Sequence, residues 1–103
     1  MISSVENKIG AIKSLCAKYR INRLEVFGSA SDGTFRPGES DIDFLVEFQS
    51  GADLGPWMSH YFDFRDELEK TLGAKVDLVM VTALKNPYFI NEVNRTRSLL
   101  YAA

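Results

Sequence analysis

Cysteine and histidine are nearly absent from this sequence, since each occurs once in 103 residues. With Cys16 alone, the chain can form no intrachain disulfide and no cysteine-based zinc site. No apolar run approaches the roughly 20 residues that a membrane-spanning helix needs. The first six residues also lack the basic and apolar regions of a secretory signal. We therefore expect a cytoplasmic protein without a membrane segment.

An excess of positive charge is also missing. Twelve Lys and Arg residues are set against 14 Asp and Glu, for a formal net charge of -2. Extended binding to DNA or RNA usually requires a basic face, so we expect none here, whereas a small anionic ligand remains possible. Apolar residues make up 46% and charged residues 25%, the balance of a globular protein. The length predicts a single domain over residues 1–103.

Hydrophobic periodicity and turn residues predict helices alternating with strands. Helices are predicted at 4–19, at 57–72 and from 87 onward, and strands at 24–27, 42–48, 75–81 and 98–101. Residues 30–40 are predicted to be a loop, which a short helical turn capped by Ser29 would open. This order predicts an α+β (α/β) fold in which helices flank a small mixed β-sheet.

Local signals mark the ends of these helices. Ser3 and Glu6 have the spacing of a capping box, and Gly73 is a typical helix terminator. Asn86 and Pro87 fit the N-cap and first position of the last helix. The apolar stripe of the middle helix is interpreted as core rather than as a base-stacking platform; its members are Trp57, Tyr61, Phe64 and Leu68.

Three aspartates interrupt or adjoin the predicted strands. Asp41 and Asp43 are two residues apart at the head of a strand, so their side chains share a face with Cα atoms about 7 Å apart. Asp77 lies inside an apolar strand, where an unpaired carboxylate is costly to bury. Taken singly, each aspartate is more simply a turn or solvated-edge residue. Together they predict a site for a divalent cation, of the kind that phosphoryl and nucleotidyl transfer requires.

A Gly28-Ser29 turn follows the first predicted strand. Because glycine has no Cβ, backbone N–H groups of such a turn can approach a phosphate closely, and the Ser29 hydroxyl can add a donor. A glycine-serine pair is a weak signal by itself, since most such pairs are ordinary turns.

The combination resembles the minimal nucleotidyltransferase family of the polymerase-beta-like fold. The resemblance lies in the segments 26–29, 36–37, 40–46 and 75–79, which read Val-Phe-Gly-Ser, Arg-Pro, Ser-Asp-Ile-Asp-Phe-Leu-Val and Lys-Val-Asp-Leu-Val. The spacing from the glycine-serine turn to the Asp-x-Asp strand is its specific part. Residues 99–101 resemble the closing segment of the family.

The resemblance implies a role for each residue of the pattern. Gly28 and Ser29 would hold a nucleoside triphosphate, Asp41 and Asp43 would bind one or two Mg²⁺ ions, and Asp77 would bind metal and take the proton of the acceptor hydroxyl. Many relatives have a basic residue soon after the turn, where this chain has Ala-Ser-Asp-Gly at 30–33. Either phosphate affinity is weaker here or Arg36 supplies the charge, and Arg36 is included among the predicted nucleotide-binding residues.

The predicted catalytic elements occupy almost the whole chain, so the acceptor site is small or is completed by another protein. The resemblance implies the latter: an antitoxin that transfers AMP from ATP to a tyrosine of a partner HEPN-type toxin. A first alternative is a non-catalytic antitoxin that binds its partner through Trp57, Tyr61 and Phe62. A second is an aminoglycoside-type nucleotidyltransferase, against which the absence of a substrate domain counts.

Overall fold

Four strands form one sheet, and five α-helices accompany it, in the computed structural model, which describes residues 1–103. The strands are β1 (Ile21–Phe27), β2 (Ile42–Phe48), β3 (Val76–Met80) and β4 (Ser98–Ala102). The α-helices are α1 (Ser3–Glu6), α2 (Ile9–Lys18), α3 (Ser29–Asp32), α4 (Ser59–Leu72) and α5 (Pro87–Thr96). Short 3₁₀ turns cover Pro56–Met58 and Val81–Ala83.

The strand order is β3-β2-β1-β4, and the sheet is mixed. Strand β1 pairs antiparallel with both β2 and β4, whereas β2 and β3 are parallel and are joined by α4. The predicted small mixed sheet flanked by helices is confirmed. Strand β1 begins at Ile21, before the predicted Leu24, because pairing with Glu47 and Phe48 of β2 extends it through the polar residues that the apolar run excluded.

The sheet is covered on both faces. The larger core cluster joins α1, α2 and α4 to one face of the sheet, and it includes Ile12, Cys16, Phe44, Phe64 and Leu68. On the opposite face, Val93 of α5 packs against two strand residues; the cluster comprises Phe27, Leu45 and Val93. Helix α5 therefore lies across the face opposite to α2 and α4.

The prediction of one continuous helix over residues 4–19 is wrong. The segment is divided into α1 and α2, and α2 begins at Ile9. The capping box is also wrong, because the N-cap is Ile2 and no side chain caps the helix. The backbone N–H of Ile2 donates to the Ala30 carbonyl at 2.9 Å. This tertiary contact sets the start of α1, and Ser3 is consequently inside the first turn rather than before it.

The interpretation of Trp57 as core is wrong, since its side chain is 94% exposed. Trp57 and Met58 both have left-handed backbone conformations, with φ of 56° and 57°, so α4 begins only at Ser59. The break removes Trp57 from the helical register that joins the later residues of the stripe. Phe64 and Leu68 are fully buried, as predicted.

The other predicted helix ends are confirmed. Gly73 caps the C-terminus of α4 with a φ of 65°, and its N–H donates to the Glu69 carbonyl. The Asn86 side chain caps α5 by accepting the N–H groups of Tyr88 at 2.9 Å and Phe89 at 3.4 Å. Pro87 occupies the first helical position.

Candidate active site

The pairing of β1 with β2 places the glycine-serine turn beside the Asp-x-Asp strand. Phe27, the last residue of β1, is the register partner of Asp43. Gly28 follows with a φ of 69°, and a Cβ atom built on it would lie 2.6 Å from Asp43 Oδ2. Glycine is therefore required at position 28 both by its backbone conformation and by the close approach of the Asp43 carboxylate.

The parallel pairing of β2 with β3 brings the third aspartate to the same place. Asp77 is the register partner of Asp43, so their side chains lie side by side on one face of the sheet. Asp41 lies one residue before β2. Burial, with repulsion from Asp77 and Asp41, raises the pKa of Asp43 to about 6. The structure thus brings Asp41, Asp43 and Asp77 close enough to interact electrostatically.

No basic side chain neutralises these carboxylates. The ion pairs of the structure involve other acids, and none of its side-chain hydrogen bonds ends on Asp41, Asp43 or Asp77. Three unpaired oxygen donors with mutual repulsion fit the chemistry of a hard divalent cation. In their present positions, however, no three acidic, histidine or cysteine side chains form a metal-binding cluster. The magnesium site stays a prediction.

The turn is held from the far side by helix α5. The Gly28 N–H donates to the Thr96 hydroxyl oxygen at 2.8 Å, and Ser29 begins the short helix α3. Sequence reasoning did not single out Thr96, because a threonine at the end of a helix carries no signal of its own. The sequence also suggested that backbone N–H groups of this turn bind phosphate, whereas in the structure the Gly28 N–H donates to Thr96.

Arg36 lies in the loop between α3 and β2, with a side chain that is 79% exposed. Its guanidinium is 3.9 Å from a carboxylate oxygen of Glu39. The structure records no bond from Arg36 to Gly28, Ser29 or the aspartates, so its predicted role at the phosphates stays a prediction.

A buried ion pair fixes the end of α5 to the sheet, and sequence reasoning missed it. Glu25 of β1 is 3% exposed and accepts hydrogen bonds from Arg97 at 2.6 and 2.8 Å and from Arg23 at 2.7 Å. Hydrogen bonds from Arg97, then from Arg23, hold the pKa of Glu25 at about 2 against the effect of burial. An acid within the apolar strand was the available signal, as it was for Asp77.

Comparison with known proteins gives the family of this site. The model of the family described as "Nucleotidyltransferase domain" matches residues 9–100. The chain belongs to this family. A protein of Methanocaldococcus jannaschii assigned as a protein adenylyltransferase is 41% identical over 76 residues, which cover 74% of this chain and 73% of the relative. Protein adenylyltransferase MntA of Thermococcus cleftensis is 34% identical over 74 residues, covering 72% and 70% of the two chains.

Solved structures agree. One assigned as a minimal nucleotidyltransferase has a TM-score of 0.73 and 33% identity, covering 92% of this chain and 91% of that chain. The MNT antitoxin complexed with the tri-AMPylated HEPN toxin of Shewanella oneidensis has a TM-score of 0.64 at 19% identity, covering 95% and 72%, and shows the shared fold. The predictions of a nucleotidyltransferase and of its fold family are confirmed. None of the helices has the length and apolar character needed to cross a bilayer.

Proposed function

We propose that this nucleotidyltransferase transfers AMP from ATP to a tyrosine hydroxyl of a partner HEPN-family toxin in the cytoplasm. The observation that carries the proposal is the meeting of Gly28 with Asp43, which lies beside Asp77. A turn at which only glycine fits touches one of three acids that no cation of the protein neutralises. This arrangement supplies a phosphate-binding turn and a proton acceptor at one end of the sheet.

In the proposed reaction, the acceptor oxygen attacks the α-phosphorus of ATP. A P–O bond forms to the acceptor, the bond from the α-phosphorus to the bridging oxygen breaks, and pyrophosphate leaves. The hydroxyl proton passes to the carboxylate of Asp77, which is exposed at the head of β3. The turn at Gly28 and Ser29 orients the triphosphate. Holding both reactants in line accounts for a large part of such a rate increase.

Asp41, Asp43 and Asp77 would hold magnesium in this site. When bound, the metal would neutralise phosphate charge and polarise the phosphorus centre. Without it, burial of the Asp43 carboxylate, together with repulsion from Asp77 and Asp41, keeps the pKa of Asp43 high. A cation would relieve that repulsion, which is the physical reason that these residues suit it.

The nature of the acceptor is supported by the relatives. MntA of Thermococcus cleftensis is named a protein adenylyltransferase, and the Shewanella oneidensis antitoxin was solved with an AMPylated HEPN toxin. These facts favour a toxin tyrosine over a small-molecule acceptor.

The direct test incubates the purified protein with ATP labelled at the α-phosphate, magnesium and the HEPN-family protein encoded beside it. The wild-type protein should label the partner on tyrosine. The double variant Asp41→Asn with Asp43→Asn should lose at least about a hundredfold in rate, since two of the carboxylates that would hold the metal are gone. The matched control is Asp63→Asn, which removes an exposed acid from α4. Equal labelling by the double variant and the wild type would refute the proposed site.

Steric inhibition without catalysis is the second candidate, and exposed aromatic residues favour it. Trp57, before the start of α4, is 94% exposed, and Phe62, in its first turn, is 41% exposed. Under this alternative, the aspartate double variant would still neutralise the toxin fully, and Trp57→Ala would weaken the complex. Under adenylylation, the double variant would bind the toxin yet leave it active.

A further inference from the structure

We infer that Thr96 is a positioning residue for nucleotide transfer, because its hydroxyl fixes the Gly28-Ser29 turn against the Asp43 carboxylate. The inference rests on the proposed function and adds to it a residue outside the predicted site. Thr96 is the last residue of α5 and is only 6% exposed. It is the point at which the helix behind the sheet meets the turn that approaches the nucleotide.

The Thr96 hydroxyl both accepts and donates a hydrogen bond inside the protein. Its oxygen accepts the Gly28 N–H at 2.8 Å, and its proton is donated to the Glu92 carbonyl at 3.0 Å. The Thr96 backbone carbonyl accepts a further bond from the Ser31 hydroxyl. Because the single hydroxyl proton is already donated, Thr96 has none to offer a substrate. It can affect the reaction only through the turn that it holds.

Gly28 connects Thr96 to the two parts of the site, the turn that contains Ser29 and the carboxylate of Asp43. Its carbonyl accepts the N–H groups of Ser31 at 3.0 Å and Asp32 at 3.1 Å, which forms the single turn of α3. Its Cα side faces Asp43 so closely that a methyl group would lie 2.6 Å from the carboxylate. A shift of Gly28 therefore moves Ser29 and changes the space beside Asp43 together.

A short helix of four residues has little rigidity of its own, since it completes barely one turn. Helix α5 has ten residues and is fixed to the sheet by Val93 and by the ion pair of Arg97 with Glu25. The bonds to Thr96 transfer that rigidity to the turn. Phosphate-transfer sites need such fixed geometry, because a misplacement of about 1 Å can cost on the order of a hundredfold in rate.

The test compares Thr96→Val and Thr96→Ser with the wild type in the ATP-labelling assay. Valine has the shape of threonine but leaves the Gly28 N–H without its acceptor, whereas serine retains the hydroxyl. We expect Thr96→Val to raise the KM for ATP about tenfold with an unchanged KM for the partner protein, and Thr96→Ser to stay within about twofold of the wild type. Thr82→Val, in the exposed turn after β3, is the matched control.

A second readout is independent of catalysis. Amide hydrogen exchange at Gly28 should be slow in the wild type and Thr96→Ser, and clearly faster in Thr96→Val, while core amides of β2 stay protected. Loss of folded enzyme alone would lower kcat without changing the KM for ATP. If Thr96→Val does not fold, Thr96→Ala serves in its place.

Three outcomes would overturn the inference. An unchanged KM for ATP in an active hydroxyl-free variant would refute the positioning role alone and leave the proposed function standing. Failure of both Thr96→Val and Thr96→Ala to fold would make Thr96 a folding residue. A wild-type protein that transfers no AMP would refute the proposed function and this inference with it.

Discussion

The buried ion pair between Glu25 and Arg97 should make stability depend on acid in a defined range. The pKa of Glu25 falls from 4.5 to about 2 in the folded protein. Since one pKa unit corresponds to about 1.36 kcal/mol, the ionised carboxylate stabilises the fold by roughly 3 kcal/mol. The folded pKa is depressed, so this contribution is fully present above pH 4.5 and is lost as the pH falls toward 2.

The assay is urea denaturation of the wild type and Glu25→Gln at pH 7 and at steps between pH 5 and 2. Glutamine has the same shape but cannot ionise, so we expect Glu25→Gln to be roughly 3 kcal/mol less stable at pH 7. That difference should shrink steadily below pH 4.5, as the wild type itself becomes protonated. Glu6→Gln removes an exposed acid that forms no ion pair, and it should follow the wild type.

Two results would refute this reasoning. Wild type and Glu25→Gln could lose stability in parallel from pH 5 to 2, which would mean that another acid controls the transition. Alternatively, the two proteins could be equally stable at pH 7. The ion pair would then cost as much in desolvation as it returns, as some buried pairs do.

Three further substitutions test the backbone and the core. Gly28→Ala should destabilise the protein by about 1–2 kcal/mol and abolish AMP transfer, because Gly28 has a positive φ and lies against Asp43. The control is Gly51→Ala, which should stay active, since Gly51 has a φ of 79° and an added Cβ would have no neighbour within 4 Å. Equal losses of activity in the two variants would argue against the contact with Asp43. Phe64→Ala should cost about 3–5 kcal/mol in urea denaturation, whereas the half-exposed Phe62→Ala should cost below about 1, and similar losses would contradict the observed burial. Arg20 is exposed, has a φ of 56° and lies just after α2. Arg20→Gly should therefore raise the free energy of unfolding by up to about 1 kcal/mol, measured by thermal denaturation, and a lower free energy of unfolding would show that the left-handed conformation carries no strain.

The segments that carry the aspartates could be recognised as strands from the sequence, because β-branched and aromatic residues are concentrated there. Strand β2 has the predicted limits, and β3 is shorter by one residue at each end. The Gly28-Ser29 turn and the Asp-x-Asp pattern are also local, so their spacing was sufficient to indicate the family. Helix continuity was harder. A backbone contact between Ile2 and Ala30, far apart in sequence, decided where α1 begins.

Side-chain contacts between residues that are distant in the chain could not be predicted from local sequence patterns. Trp57 fits an apolar stripe by spacing, but two left-handed residues before α4 turn it to solvent. Thr96 and Arg97 have no distinctive sequence context. Their roles exist only because the chain returns from α5 to place them against Gly28 and Glu25.

The sequence by itself determined the alternation of elements, the conformational need for glycine in the turn, and the presence of acids where apolar residues were expected. It could do so because propensity, periodicity and the cost of burying charge act over a few neighbouring residues. Only the tertiary structure decided which acids meet, which acid finds an arginine, and what holds the turn. These depend on strand order and register, which join residues as distant as 28 and 96 through the return of the chain across the sheet.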